Sequence, residues 1–282
     1  MLRASPYVLA LALALTAGLA RADETVTFDS ARYVPSDMAQ RLARERGETP
    51  KPSPVETITA YLAKPSGNGP FPAVVHLHGC GGLTDPALAA AATQITDWGF
   101  VAFIVDSFAT RGVKNACGPF RIPDRQADAL GALIYLSTLP YVDAKRVAVV
   151  GYSQGGIAAL QIASLHDSVL FDMPSGLKYK AAVAFYPSCS AADDQTEIPV
   201  LVLIGELDDW SSPKECDWWL ARRQDKSAPV KIVVYPGAFH SFDNPHFANG
   251  ERYFGHWLKY DAAAAERASA EMHDFFAAQL AK

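Results

Sequence analysis

The chain has only four cysteines among 282 residues: Cys80, Cys117, Cys189 and Cys216. No two of them form a C-x-x-C pair, so the usual spacing of a structural zinc site is missing. No basic stripe is present either. Lys and Arg number 25 against 30 Asp and Glu, the formal net charge is −5, and the cationic residues are scattered. That pattern gives no footing for nucleic acid. Beyond the N-terminus, no run approaches the roughly 20 apolar residues of a membrane-spanning helix. Internal repeats and low-complexity tracts are also lacking. Half of the chain is hydrophobic, which suits one large α/β domain with a full core.

The first residues read as a targeting segment. Arg3 supplies a positive start, Tyr7 to Leu15 is an apolar core, and Ala20-Arg21-Ala22 is an A-x-A cleavage site. The pattern predicts a signal peptide over 1–22, cut after Ala22, and a periplasmic or secreted product with no stable membrane anchor. In an oxidising compartment an even cysteine count predicts two disulfides, although the count allows three pairings.

Residues 23–56 read as an irregular N-terminal extension with one short polar helix over Asp37–Arg46. The closely spaced Pro50, Pro52 and Pro54 forbid helix and interior strand, so they mark a linker. From 57 to 282 a single domain is predicted. Strands are expected at 58–62, 73–77, 101–105, 147–150, 181–185, 200–204 and 231–235. Helices are expected at 86–98, 124–139, after 153, at 214–223 and at 261–280. Apolar strands alternating with helices predict an α/β fold: a mostly parallel central sheet with helices on both faces.

In such a sheet, ligands bind at the carboxyl ends of the strands. Gly151-Tyr152-Ser153-Gln154-Gly155 lies there, between the apolar run Val147–Val150 and a run of small residues. Strand, G-x-S-x-G turn and helix together make a nucleophile elbow. A serine hydroxyl needs a base to take its proton and an acid to orient that base. Asp208, in Gly205-Glu206-Leu207-Asp208, is the candidate acid, with Asp209 and Glu206 as local competitors. His240, just beyond the last strand, is the candidate base, with His246 as runner-up. An oxyanion hole needs two backbone N–H groups. Gln154 should give one. The loop His78-Gly79-Cys80-Gly81-Gly82 should give the other, from Cys80 or alternatively Gly81.

These segments, taken with His240-Ser241-Phe242, resemble the dienelactone hydrolase family of α/β-hydrolases over roughly residues 57–280. The resemblance implies Ser153 as nucleophile, Asp208 as acid and His240 as base, with no metal or organic cofactor. The name-giving enzymes carry cysteine at the elbow and a glutamate in the first loop. Ser153 and Gly79 stand there in this chain, which favours a general serine esterase acting on small-molecule esters or lactones. A peptidase of the same fold and a non-catalytic binding protein are the competing readings.

Two further expectations concern loops at the same sheet edge. Arg111 and Arg121 follow the 101–105 strand and could hold a substrate carboxylate in a two-pronged ion pair. The family resemblance points the same way, because dienelactone hydrolases act on a carboxylate-bearing lactone. The competing reading is a pair of surface arginines matched to nearby aspartates. Trp210, in the acid loop, could form an apolar wall. Strand placement also suggests the pairings Cys80–Cys117 and Cys189–Cys216, against a reading of four free thiols.

Overall fold

A computed structural model describes residues 24–118, 122–164, 170–223 and 227–281. Eight strands form one sheet: β1 (Glu24–Asp29), β2 (Thr57–Ala63), β3 (Phe71–Leu77), β4 (Val101–Asp106), β5 (Val142–Tyr152), β6 (Ala181–Phe185), β7 (Val200–Gly205) and β8 (Val230–Tyr235). Their spatial order is β1-β2-β4-β3-β5-β6-β7-β8. β1 pairs antiparallel with β2, and β2 antiparallel with β4. Every other pairing is parallel.

The central parallel strands β6 and β7 are continuous apolar runs because both faces are covered. All five residues of β6 and all six of β7 are buried. The helices follow from the connections. α2 (Asp85–Asp97) links β3 to β4, α3 (Arg125–Ser137) links β4 to β5, and α4 (Gln154–Ala163) links β5 to β6. The first crossover moves one way along the sheet and the next two move the other way. Right-handed crossovers therefore place α2 on one face and α3 and α4 on the opposite one. α5 (Pro213–Arg222) joins β7 to β8 in the same sense as α3. α6 (Ala262–Gln279) returns to the α2 face, where Gln94 Nε2 donates to Ser269 Oγ at 2.9 Å. Asp124 caps α3, its side chain accepting from Ala127 N.

β3 is flanked by β4 on one side and β5 on the other, and the direction of winding reverses there. That reversal opens a crevice at the carboxyl ends of β3 and β5, where α/β sheets hold ligands. Among the described residues, no helix is long and apolar enough to cross a membrane.

Two features differ from the sequence expectation. Residues 23–56 are not irregular throughout, because β1 forms an edge strand that buries Val26 and Phe28. α1 (Asp37–Arg46) lies within this segment, capped by Ser36 and closed by Gly47 in the left-handed region. A short hairpin, β9 (Glu251–Tyr253) with β10 (His256–Leu258), also had no counterpart in the reading. The expected signal peptide, residues 1–22, lies outside the described residues.

Candidate active site

The elbow follows from local crowding. Ser153 sits between the end of β5 and the start of α4, with φ +52° and ψ −112°. A non-glycine residue is rarely held there, and such strain clusters at functional positions. The turn closes because its neighbours have no side chains. A Cβ on Gly151 would lie 1.9 Å from Gly155 O, and one on Gly155 would lie 2.3 Å from Leu77 O. Ser153 N also donates to Phe185 O at 2.9 Å, which ties the turn to β6.

Asp208 and His240 reach the same point from beyond β7 and β8. Asp208 Oδ1 accepts from Trp210 N at 2.9 Å and Ser211 N at 2.8 Å. Its Oδ2 lies 2.8 Å from His240 Nδ1. A carboxylate only accepts, so Nδ1 carries the hydrogen and donates. That tautomer leaves Nε2 free to accept from Ser153 Oγ, 3.0 Å away. Both partners are almost wholly buried, at 4% and 2% exposure, so bulk water screens the interaction weakly.

The competing residues are engaged elsewhere. Glu206 Oε2 accepts from Gly237 N. Asp209 Oδ1 accepts from Trp257 N at 3.2 Å. His246 is exposed, in a 3-10 turn, with its ring against Phe247.

The candidate oxyanion donors also converge. Gln154 is the first residue of α4, so its N–H has no intrahelical acceptor. The His78–Gly82 loop passes beside the serine: a Cβ on Gly79 would sit 3.8 Å from Ser153 Cβ. Cys80 O accepts from Ala116 N at 2.8 Å, which fixes the peptide that follows Cys80. Cys80 is bonded to Cys117, and Cys189 to Cys216, the pairing suggested by strand placement. A cavity of about 530 Å³ opens here, lined by Ser153, Gln154, Cys80, Cys117 and Trp210 and running back to Arg125 and Gln161.

Arg111, expected as a carboxylate-holding residue, is engaged within the protein instead. All five of its N–H groups have protein acceptors. Nε and Nη2 donate to Glu56, Nη1 and Nη2 donate to Asp128, and Nη1 also donates to Ser107 O. With its hydrogen-bonding capacity filled, the side chain braces the loop after β4 and has no fork to offer a carboxylate. Arg121 lies outside the described residues. Trp210 does line the cavity, its ring 5.1 Å from that of His240.

Sequence reasoning missed two groups. Tyr186, just past β6, takes φ +38° and places its ring 4.6 Å from that of His240. Its hydroxyl donates to Asp243 Oδ1 at 2.7 Å. Burial, aided by that carboxylate, pushes the Tyr186 phenol well up. Its position one residue beyond a strand end was the available signal. Arg125, at the start of α3, is 3% exposed, and its guanidinium nitrogens have no hydrogen-bond partner among the described residues. Burial lowers its pKa to about 10. The same burial, reinforced by Arg125, lowers His76 to about 4 and holds His78 well below the usual imidazole range.

A doubly covered parallel sheet with a serine elbow at its switch point defines an α/β-hydrolase. More narrowly, the chain belongs to the dienelactone hydrolase family, whose model matches residues 58–280. Solved structures agree on the fold. A dienelactone hydrolase-like protein from Klebsiella pneumoniae superposes with a TM-score of 0.63 at 20% identity, covering 90% of this chain and 99% of that one. A dienelactone hydrolase-like promiscuous phosphotriesterase from metagenomic libraries gives 0.59 at 22% identity, covering 90% and 98%. A hyperthermophilic esterase from Pyrobaculum calidifontis gives 0.61 at 17% identity, covering 92% and 87%.

Proposed function

We propose that the protein is an exported serine hydrolase that cleaves carboxylic esters or lactones through an acyl-enzyme on Ser153. The observation that carries this reading is the hydrogen-bonded chain Asp208–His240–Ser153, at 2.8 and 3.0 Å. His240 Nε2 takes the Ser153 proton as Oγ attacks the ester carbonyl carbon. The negative charge that develops on the carbonyl oxygen is held by the N–H groups of Gln154 and Cys80. Asp208 stabilises the imidazolium. His240 then passes its proton to the leaving oxygen, and the C–O bond breaks. Water, deprotonated by His240, attacks the acyl-enzyme, releases the acid and returns the proton to Ser153. Every step uses groups of this chain.

Hydrolysis of p-nitrophenyl acetate tests the reading. Ser153→Ala and His240→Ala should each lower kcat by about 10⁴ or more while the fold is kept, and Asp208→Ala should cost somewhat less. His246→Ala should leave the rate unchanged. Full activity in Ser153→Ala would remove the proposal. Export is tested separately: the N-terminus of the exported protein should be Asp23.

A further inference from the structure

The side of the site occupied by His240 carries an aromatic surface that the reaction scheme leaves unused. Trp210 stacks on His256, with centroids 4.8 Å apart and an interplanar angle of 14°. Tyr253 and Phe254 lie 6.2 and 6.3 Å from Trp210, and 4.9 Å from each other. Three of these four residues belong to the β9–β10 hairpin.

The hairpin is fixed over the site at several points. Leu258 bridges to His240, Trp257 N donates to Asp209, and Asn115 Nδ2 donates to the Tyr253 hydroxyl at 2.5 Å. It therefore runs from the acid loop across to the loop that carries Cys117. At its tip, Phe254 is 54% exposed and held at φ +50°. A bulky residue in that region is strained, and an exposed phenylalanine gains little from the fold in return. Exposed aromatic surface gathered beside a cavity marks a ligand site.

The chemistry fixes which part of the ligand lies there. His240 delivers its proton to the leaving oxygen, so the alcohol portion of an ester must sit on the His240 side of Ser153. Trp210 lies against the His240 ring at 5.1 Å, and Tyr253 and Phe254 adjoin Trp210. We infer that they form a subsite for the alcohol portion of the substrate, and that this portion is a planar aromatic group, as in aryl or arylmethyl esters. The inference rests on the serine-hydrolase reading.

Benzyl acetate and cyclohexylmethyl acetate test it, because they share an acyl group and have leaving alcohols of similar basicity. The wild-type enzyme should favour benzyl acetate in kcat/KM by about three- to tenfold, the range expected from ring–ring contacts. Phe254→Gly, which removes the ring and relieves the backbone, and Trp210→Leu should each bring the ratio towards one. Phe254→Tyr should restore it, and Trp218→Ala, on the exposed face of α5, should not change it. Equal rates in the wild type, or a ratio unchanged in both ring-removing variants, would overturn the inference. A second measurement does not depend on turnover. In the Ser153→Ala protein, benzyl alcohol should shift the Trp210 indole N–H resonance saturably, and more than cyclohexylmethanol does. No shift with benzyl alcohol would sink the subsite even if ester hydrolysis stands. A shift without any ester turnover would keep the subsite and sink the hydrolase reading.

Discussion

Arg111 and Ser153 show how differently two single residues declare themselves. Ser153 stands in a local pattern of strand, glycines and helix, and Asp208 and His240 follow strands in a fixed order, so their hydrogen-bonded arrangement was legible from spacing. Arg111 is engaged by Glu56 and Asp128, 55 and 17 positions away. No local pattern could reveal that, because the three meet only once β2, the loop after β4 and α3 are assembled. Asp128 is wholly buried and Arg111 nearly so, with side-chain exposures of 0% and 11%. Removing one member of such a pair strands the other, at a cost of about 3–5 kcal/mol. Arg111→Ala should therefore lower the urea midpoint steeply. Arg111→Lys should recover only part of the loss, since an ammonium cannot reproduce the fork. In both variants that remain folded, the kcat/KM ratio between a carboxylate-bearing ester and its methylated counterpart should stay at the wild-type value.

Among elements, the six parallel strands were readable because each holds a stretch of mostly apolar residues, and their observed ends differ from expectation by at most five residues, the largest difference being at the polar start of β5. β1 was not. It is a half-exposed edge strand, alternating exposed and buried over Thr25 to Asp29, and it precedes a polar helix and a proline-rich segment. The hairpin was missed for a related reason: its two strands have three residues each, below the length at which alternation carries a signal. The disulfides act at this scale too. Cys80–Cys117 spans 37 positions and Cys189–Cys216 spans 27. Loops of that size make each bridge worth about 2–4 kcal/mol. Cys189→Ala/Cys216→Ala should lower the guanidinium midpoint with little change in kcat. Cys80→Ala/Cys117→Ala should lower both, because its loop lies against Ser153 and lines the cavity. Equal kcat in the two double variants would separate the Cys80 loop from oxyanion binding.

For the molecule as a whole, buried imidazole sets the acid limit. His76 is 8% exposed, and burial, with Arg125 nearby, lowers its pKa to about 4 against an ordinary 6.5. In the unfolded chain it takes up a proton at higher pH than in the folded one. Its contribution to stability is therefore fully present above pH 6.5 and is lost as pH falls from 6.5 to 4. The difference amounts to about 3 kcal/mol. Urea midpoints at pH 7.5 and 5 should show about two-thirds of that loss, and His76→Gln should show a smaller one. The distribution of tethers matters at the same scale. Both disulfides, the hairpin contacts and the buried acid–base pair lie at the carboxyl edge of the sheet, whereas the turn through Gly67 and Gly69 lies at the opposite edge and is exposed. The molecule is thus mechanically lopsided, stiff at its working end and loose at the other. A protease should nick it first at that far turn. The severed β1–β2 piece would stay docked through its pairing with β4, and the cut protein would still turn over ester.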